Sequence, residues 1–259
     1  MWLNYLIIIK WFQFILIFFD EKYIYKNINN DKKIMYYINM SYYWDGNFLK
    51  HLVKNDVKTV FEVGARYGDE SKILKMVFPN SKVYSFECNP NTIDICKKNL
   101  LNIDGIFFNA FGLGEKEEYL PFYSYIQNND GASSFLKRID FDYTQKETGI
   151  ISINRLDNYV KSKNITNIDL LCMDVQGYEL NVLKGAGDFI RNINYIIMEE
   201  PKPIINLTYL PEGVYSKYIN APSSQEIKQF MTMNNFEEIQ RIDENDIEDN
   251  VMYKNKKLY

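Results

Sequence analysis

Short apolar runs and amphipathic stretches alternate along the middle of this chain. Val60-Phe61-Glu62-Val63 and Val83-Tyr84-Ser85-Phe86 are rich in β-branched and aromatic residues, and they predict buried strands over Thr59–Val63 and Lys82–Glu87. The segments that follow them, Asp69–Phe78 and Asn91–Leu101, space their apolar residues at helical intervals, and Ile106–Phe111 reads as a third strand. Strand, helix and strand in that order predict βαβ units, hence a parallel sheet with right-handed crossovers. Pro79-Asn80 stops the first helix, and Asn89-Pro90 opens the second, near a position where the missing N–H of proline costs nothing.

Further along, the pattern becomes irregular and then regular again. Glu117–Thr148 contains a Tyr/Phe-rich strand at Tyr119–Tyr125 and the turn cluster Asn128-Asn129-Asp130-Gly131, which together suggest an insertion rimming a site. Strands are expected at Ile150–Ile153, Asn167–Val175 and Tyr195–Met198, with a helix over Tyr178–Arg191. Ser223-Ser224 can cap a helix reaching Asn234, with Glu226 in its first turn, and Phe236–Ile242 and Val251–Lys254 read as a terminal hairpin. A further helix is expected over Asp45–Lys54, carrying His51, the one histidine.

Ahead of this domain, Trp2 to Phe19 is almost wholly apolar and about the length that a helix needs to cross a bilayer. Lys10 lies mid-span at an insertion cost of roughly 2.5 to 3.5 kcal/mol, which the surrounding Ile, Leu and Phe residues can offset. The stretch lacks a basic leader and a small-residue cleavage site, so a cleaved signal peptide fits poorly. Three readings stay open: a transmembrane helix that tethers the chain to a membrane through residues 2–19, a packed helix, and an extension ahead of a start at Met40. Lys22, Lys26, Lys32 and Lys33 on the following flank would keep the globular part cytoplasmic, and Tyr23–Asn39 reads as a linker. The expected division is residues 1–39 as hydrophobic segment and linker, and 40–259 as the folded domain.

Composition narrows the function. With 46% hydrophobic and 25% charged residues the chain is ordinary globular material. A net charge of −4 argues against a general nucleic-acid binder, which needs a basic surface. Cys88, Cys96 and Cys172 form no CxxC pair, so neither a disulfide framework nor a zinc site is indicated, and no metal is expected.

The chemistry concentrates at strand ends. The first strand runs into Gly64-Ala65-Arg66-Tyr67-Gly68, a glycine turn opening a helix, which is where parallel sheets bind nucleotide-like ligands. Glu87, ending the next strand, is placed to accept hydrogen bonds from two ribose hydroxyls. A dinucleotide fold needs GxGxxG so that backbone can approach a pyrophosphate; Ala65, Arg66 and Tyr67 fill that gap, which favours S-adenosylmethionine over NAD. Glu62 is placed to accept from the amino group of the methionine moiety or to cap the turn, and Asn109 to approach the adenine or to form a turn. Asp174, ending an apolar strand at the same edge, is read as general base or as organiser of the surrounding loops, with Glu179 and Glu199 as the other candidate acids.

Asp174-Val175-Gln176-Gly177-Tyr178-Glu179, followed by Val182-Leu183-Lys184-Gly185-Ala186, resembles the FkbM family of S-adenosylmethionine-dependent methyltransferases. Phe86-Glu87-Cys88-Asn89-Pro90, Gly131-Ala132-Ser133-Ser134 and Arg155-Leu156-Asp157 extend the likeness over about Thr59 to Pro201, while Arg66, Cys88 and Cys172 stand where that family usually has Asn, Pro and Lys. The resemblance implies a Rossmann-like class I methyltransferase fold: a mostly parallel seven-stranded sheet, helices on both faces and a C-terminal antiparallel strand. It implies S-adenosylmethionine as methyl donor and a hydroxyl acceptor on a glycan or small molecule. Asn89 then joins the cofactor site and Gln176 the substrate side, while Ser133 and Ser134 bind substrate, close over the methionine end or form an ordinary turn. An NAD-dependent oxidoreductase and a non-catalytic S-adenosylmethionine-binding module are the alternatives.

Overall fold

Seven strands line up in one sheet in the order β12-β13-β11-β10-β4-β5-β6. They are β4 (Thr59–Val63), β5 (Lys82–Phe86), β6 (Ile106–Asn109), β10 (Ile168–Met173), β11 (Ile193–Pro201), β12 (Phe236–Asp243) and β13 (Glu248–Asn255). The computed structural model describes residues 14–19, 22–27, 35–38, 49, 56–125, 130–138, 145–202, 217–243 and 248–258. Neighbours from β11 to β6 pair in parallel, whereas β13 is antiparallel to both β11 and β12. This is the expected mostly parallel sheet, and its antiparallel strand, the last in the chain, lies between β11 and β12.

The sheet is covered on both faces because its strands are apolar on both. On one face Phe61 and Val63 of β4, Phe86 of β5 and Met173 of β10 join a core with α3 (Leu156–Ser162), α4 (Glu179–Gly185) and α5 (Ser224–Met233). Phe61 meets the rings of Tyr84, Phe86 and Tyr159 at 5.0, 5.4 and 5.9 Å. Burying one such side chain is worth about 1.5 to 3 kcal/mol, so this layer is a principal source of stability. The alternate residues Glu62 and Ser85 face the other way, where Ser71 of α1 (Asp69–Val77) bonds to both. Beyond them α2 (Ile93–Leu100) packs Cys96 and Leu100 against Ala65. At α5 the expected cap is present as a full capping box: Glu226 N donates to Ser223 Oγ, and Ser223 N donates back to the Glu226 carboxylate.

Between β6 and α3 a second sheet forms from β7 (Gly112–Leu113), β8 (Glu118–Tyr125) and β9 (Gln145–Asn154), in the order β7-β9-β8. The expected strand at Ile150–Ile153 is thus longer, because pairing with β8 draws it back to Gln145. The helix expected over Tyr178–Arg191 ends at Gly185 and resumes as a 3-10 turn at Gly187–Asn192. Gly187, with φ +49, breaks the regular helix, while Gly185 lets the chain at Gly114 pass close, since a Cβ there would stand 2.1 Å from Gly114 O.

The chain divides into two compact units, Met1–Leu49 and Lys50–Tyr259. In the first, β1 (Phe14–Phe19), β2 (Lys22–Asn27) and β3 (Met35–Ile38) form an antiparallel sheet in that order. The expectation of a transmembrane helix over residues 2–19 is therefore corrected. Residues 14–19 are a strand paired from Phe14↔Asn27 to Phe19↔Lys22, and among the described residues no helix is long and apolar enough to cross a membrane. The whole apolar run has the length for a helix, but in its described part, Phe-Ile-Leu-Ile-Phe-Phe, β-branched and aromatic residues favour a pleated partner, which the Tyr- and Ile-containing β2 supplies. The segment read as linker holds β2 and β3. Residues 2–13, the turn residues Asn128 and Asn129, and the helix expected over Asp45–Lys54 with His51, apart from the buried helical Leu49, lie outside the described residues.

Candidate active site

Strand register sets three positions side by side at the carboxyl edge of the large sheet. Val63 pairs with Met173 on one side and with Phe86 on the other, so Asp174, Gly64 and Glu87 leave adjacent strands together. At a strand spacing of about 4.8 Å, Asp174 and Glu87 flank Gly64 about 10 Å apart. Gly64 has φ +92, and a Cβ there would lie 1.9 Å from Asp174 O. Only glycine fits between the two strand ends.

The turn that follows spends its amides inside the protein. Gly64 N and Ala65 N donate to Phe86 O at 3.0 and 2.9 Å, Gly68 N to Ala65 O, and Arg66 N to Glu87 Oε2 at 2.5 Å. Four of its five amides are thereby committed, which leaves no nest to seat a pyrophosphate. A nucleoside without phosphates suits this turn, and a dinucleotide does not. Glu87 Oε1 accepts from Asn89 N at 2.6 Å. Burial pushes the Glu87 carboxyl up to about 7, against the pull of these backbone amides. Ribose hydroxyls, donating to its remaining lone pairs, would favour the charged form.

Glu62 is buried beneath the turn and accepts a hydrogen bond from Ser71, which lies 2.6 Å from Ser85 Oγ. Burial first, and then the charge of Glu70, raise its carboxyl well above the usual range. Glu70, in the first turn of α1, is itself pushed up to about 7 by burial, with Asp174 and Asp69 adding to the shift. Carboxyls thus outnumber the Arg66 guanidinium here, which fits a sulfonium-bearing ligand. Asn109 ends β6; its Oδ1 accepts from Tyr159 at 2.8 Å and its Nδ2 donates to Phe107 O at 3.0 Å.

On the other side, Asp174 reaches the surface at the carboxyl edge of the sheet. Partial desolvation by the surrounding protein raises its carboxyl to about 6, against a hydrogen bond from Gln176. Gln176 Nε2 donates to Asp174 Oδ1 at 2.6 Å and to Glu199 Oε2 at 3.0 Å, so one side chain gathers two of the expected acids. Glu179 lies behind them, buried, with Oε1 accepting from Val175 N at 3.2 Å and Gly177 N at 3.3 Å. Its burial, with the Asp174 charge added, raises the carboxyl to about 8. Glu200 points away into an ion pair with Arg241 at 3.0 Å and accepts from Tyr253. A pocket lined by Gly177, Glu179, Glu199, Glu200, Pro201, Ala221, Pro222 and Glu248 adjoins these acids.

The insertion closes the rim. Asp130 accepts from the Arg66 guanidinium and from the Tyr67 hydroxyl, tying the insertion to the glycine turn. Gly131 packs on that guanidinium, where a Cβ would sit 3.2 Å from Arg66 Cζ. Ser134, buried, donates to Gln176 O at 2.9 Å, while Ser133 Oγ accepts from Tyr125 N at 3.3 Å. Asn89 Oδ1 accepts from Ser124 at 2.9 Å and from Asn91 N at 3.0 Å, linking the loop after β5 to β8. Sequence reasoning missed Glu70, Asp130 and Tyr218. Asp130 was legible only as part of a turn cluster, and Glu70 only as a helix-start acid.

A family model described as "Methyltransferase FkbM domain" matches residues 62–238. "Methyltransferase 1" of Beauveria bassiana (strain ARSEF 2860) is 27% identical over 130 residues, covering 44% of this chain and 52% of that protein, so the chain spans about half the length of the curated relative it matches. Among solved structures, a chain of the fibrillarin/Nop5p complex is similar at TM-score 0.50 and 11% identity, over 93% of this chain and 97% of that one. Aeropyrum pernix fibrillarin with bound S-adenosyl-L-methionine gives TM-score 0.47 and 14% identity, over 93% and 98%. The first of these likenesses supports the fold alone.

Proposed function

Because this chain belongs to the FkbM methyltransferase family, we propose that it moves the methyl group of S-adenosylmethionine to a hydroxyl of a glycan or small molecule. That family membership sets aside the oxidoreductase alternative, in agreement with a turn whose amides are already committed. S-adenosylmethionine supplies when bound an activated methyl on a sulfonium. The remaining work is binding, alignment and removal of one proton, and proximity can provide most of the acceleration.

In this reading Glu87 holds the ribose hydroxyls, the Gly64–Gly68 turn with Asn89 shapes the cofactor seat, Glu62 serves the methionine end and Asn109 the adenine side. Asp174 accepts the proton of the attacking hydroxyl as the new C–O bond forms. Its placement carries the proposal: a water-accessible carboxylate, next to Gly64 and held by Gln176, with a carboxyl near 6 that is mostly ionised at neutral pH yet basic enough to be useful. Glu199 shares that amide and orients the acceptor, with Ser133, Ser134 and Gln176 on the same side. Glu179 is the clip of the Asp174–Gly177 loop rather than a reacting acid. Glu199 and Glu248 give the adjoining pocket carboxylates that accept hydrogen bonds, which suits a hydroxyl-bearing acceptor. The free thiols of Cys88, Cys96 and Cys172 support the cytoplasmic setting.

The test is mass spectrometry of reactions with isotope-labelled S-adenosylmethionine and a panel of sugars, small alcohols and lipids. Label should appear on a hydroxyl oxygen. With the acceptor so found, Asp174→Asn should keep cofactor affinity and lower turnover about 10²- to 10⁴-fold. Turnover equal to that of the parent enzyme removes Asp174 as base, and label on nitrogen or carbon removes the O-methylation reading.

A further inference from the structure

We propose that Tyr218 is a positioning residue of this site: its hydroxyl locks the side-chain amide of Gln176 so that one NH₂ group holds the Asp174 and Glu199 carboxylates together. The inference rests on the role given above to Asp174.

Gln176 is bonded at both ends. Its Nε2 donates to Asp174 Oδ1 at 2.6 Å and Glu199 Oε2 at 3.0 Å, while its Oε1 accepts from the Tyr218 hydroxyl at 2.5 Å. The two N–H groups and the carbonyl of the amide are thereby all engaged. A flipped amide would turn its carbonyl on two carboxylates and its NH₂ on a phenol, exchanging two charge-assisted bonds for repulsion. Tyr218 thus opposes both the flip and the swing of this partly exposed side chain into water. The backbone around Gln176 is held as well, at φ +54, with its carbonyl accepting from buried Ser134 at 2.9 Å.

Tyr218 can serve as an anchor because it is itself fixed. It is 2% exposed, its hydroxyl lies 3.0 Å from Ala132 O, and the Arg138 guanidinium stands 5.4 Å from its ring centre. The next residue, Ile219, donates its amide to Lys137 O at 2.7 Å. Gly177 makes room for it, since a Cβ there would come within 3.2 Å of Tyr218 Cβ. The single phenol proton, shared between Gln176 Oε1 and Ala132 O, therefore joins the insertion to the loop that carries the base.

The consequence is electrostatic. Around Asp174 stand Arg66 from the glycine turn, Glu70 on α1, Glu179 on α4, Glu199 on β11 and Glu248 on β13, with the Tyr218 phenol above Gln176. In so negative a setting, two N–H groups shared between two carboxylates favour the state in which both are charged. Without the lock, one of the pair takes up a proton more readily, and Asp174 is lost as a base near neutral pH.

Tyr218→Phe in the full chain, labelled with ¹³C at Asp and Glu carboxyls and titrated by NMR, tests this; signals are assigned by comparison with Asp174→Asn and Glu199→Gln. The Asp174 midpoint should move up by about one pH unit. An unchanged midpoint in folded Tyr218→Phe overturns the proposal. Should that variant not fold, the ¹⁵N-labelled Gln176 side-chain amide of the unmodified chain decides: its two protons should shift through the Asp174 midpoint, and a silent amide overturns the lock. Neither readout consumes S-adenosylmethionine. A shifted midpoint alongside full turnover in Asp174→Asn keeps the lock and discards the base, and the opposite pair of results does the reverse.

Discussion

Replacing Glu179 with Gln separates a proton-holding loop clip from a reacting acid. Its Oε1 receives two loop amides, at 3.2 and 3.3 Å, and burial raises its carboxyl from an ordinary 4.5 to about 8. The folded chain therefore keeps this proton over a range where the unfolded chain has lost it. The stabilisation is complete below about pH 4.5 and drains away as pH climbs toward about 8. Each pH unit inside that window removes about 1.4 kcal/mol, so the step from pH 5 to pH 7.5 removes roughly 3 kcal/mol. Gln keeps a carbonyl oxygen for both amides and has no proton to lose, so Glu179→Gln escapes this loss. Urea unfolding followed by circular dichroism at a series of pH values measures the difference. The unfolding free energy of the variant should gain roughly 3 kcal/mol on that of the parent protein between pH 5 and pH 7.5. Parallel pH profiles would falsify the assignment, and so would loss of methyl transfer in a variant that remains folded.

Two further substitutions probe the cofactor side. Gly64→Ala combines a left-handed backbone strain of about 1 to 2 kcal/mol with a Cβ 1.9 Å from Asp174 O, which parts the seam between β4 and β10. The loss should exceed about 4 kcal/mol, and a urea midpoint like that of the parent would refute the close approach. Glu87→Ala removes the acceptor of Arg66 N and Asn89 N together with that for the ribose. Cofactor affinity measured by calorimetry on the folded variant should fall about 10- to 100-fold; an unchanged affinity withdraws the ribose role.

The parallel strands were legible because their residues are apolar on both faces, and the glycine turn because a strand entering it leaves few other solutions. Asp174, Glu87 and Gly64 converge for the same reason, since adjacent parallel strands end in register. The amphipathic face of α5 and its Ser223 cap were readable locally. What escaped depends on partners distant in sequence. Tyr218 is 42 positions from Gln176, in a segment without periodicity, and its value comes wholly from tertiary contact. The run Trp2–Phe19 misled through its length: a long apolar run suits a helix, but at Phe14–Phe19 short-range pairing with Lys22–Asn27 wins, because the residues are β-branched and aromatic. The close approach at Gly185 needed knowledge of Gly114, which lies on a separate connection.

The interior place of β13 orders events during synthesis. While only residues up to β11 have emerged, that strand presents an open edge in the middle of the future sheet, a template for stray pairing. β12 leaves the ribosome first yet reaches the sheet only through β13, so the hairpin must arrive whole. Its docking brings Arg241, already paired with Asp249 within the hairpin, and Tyr253 to Glu200. A nascent chain halted before Glu248 would hold Gly64, Glu87 and Asp174 in hand and still lack one wall of the pocket beside Glu199.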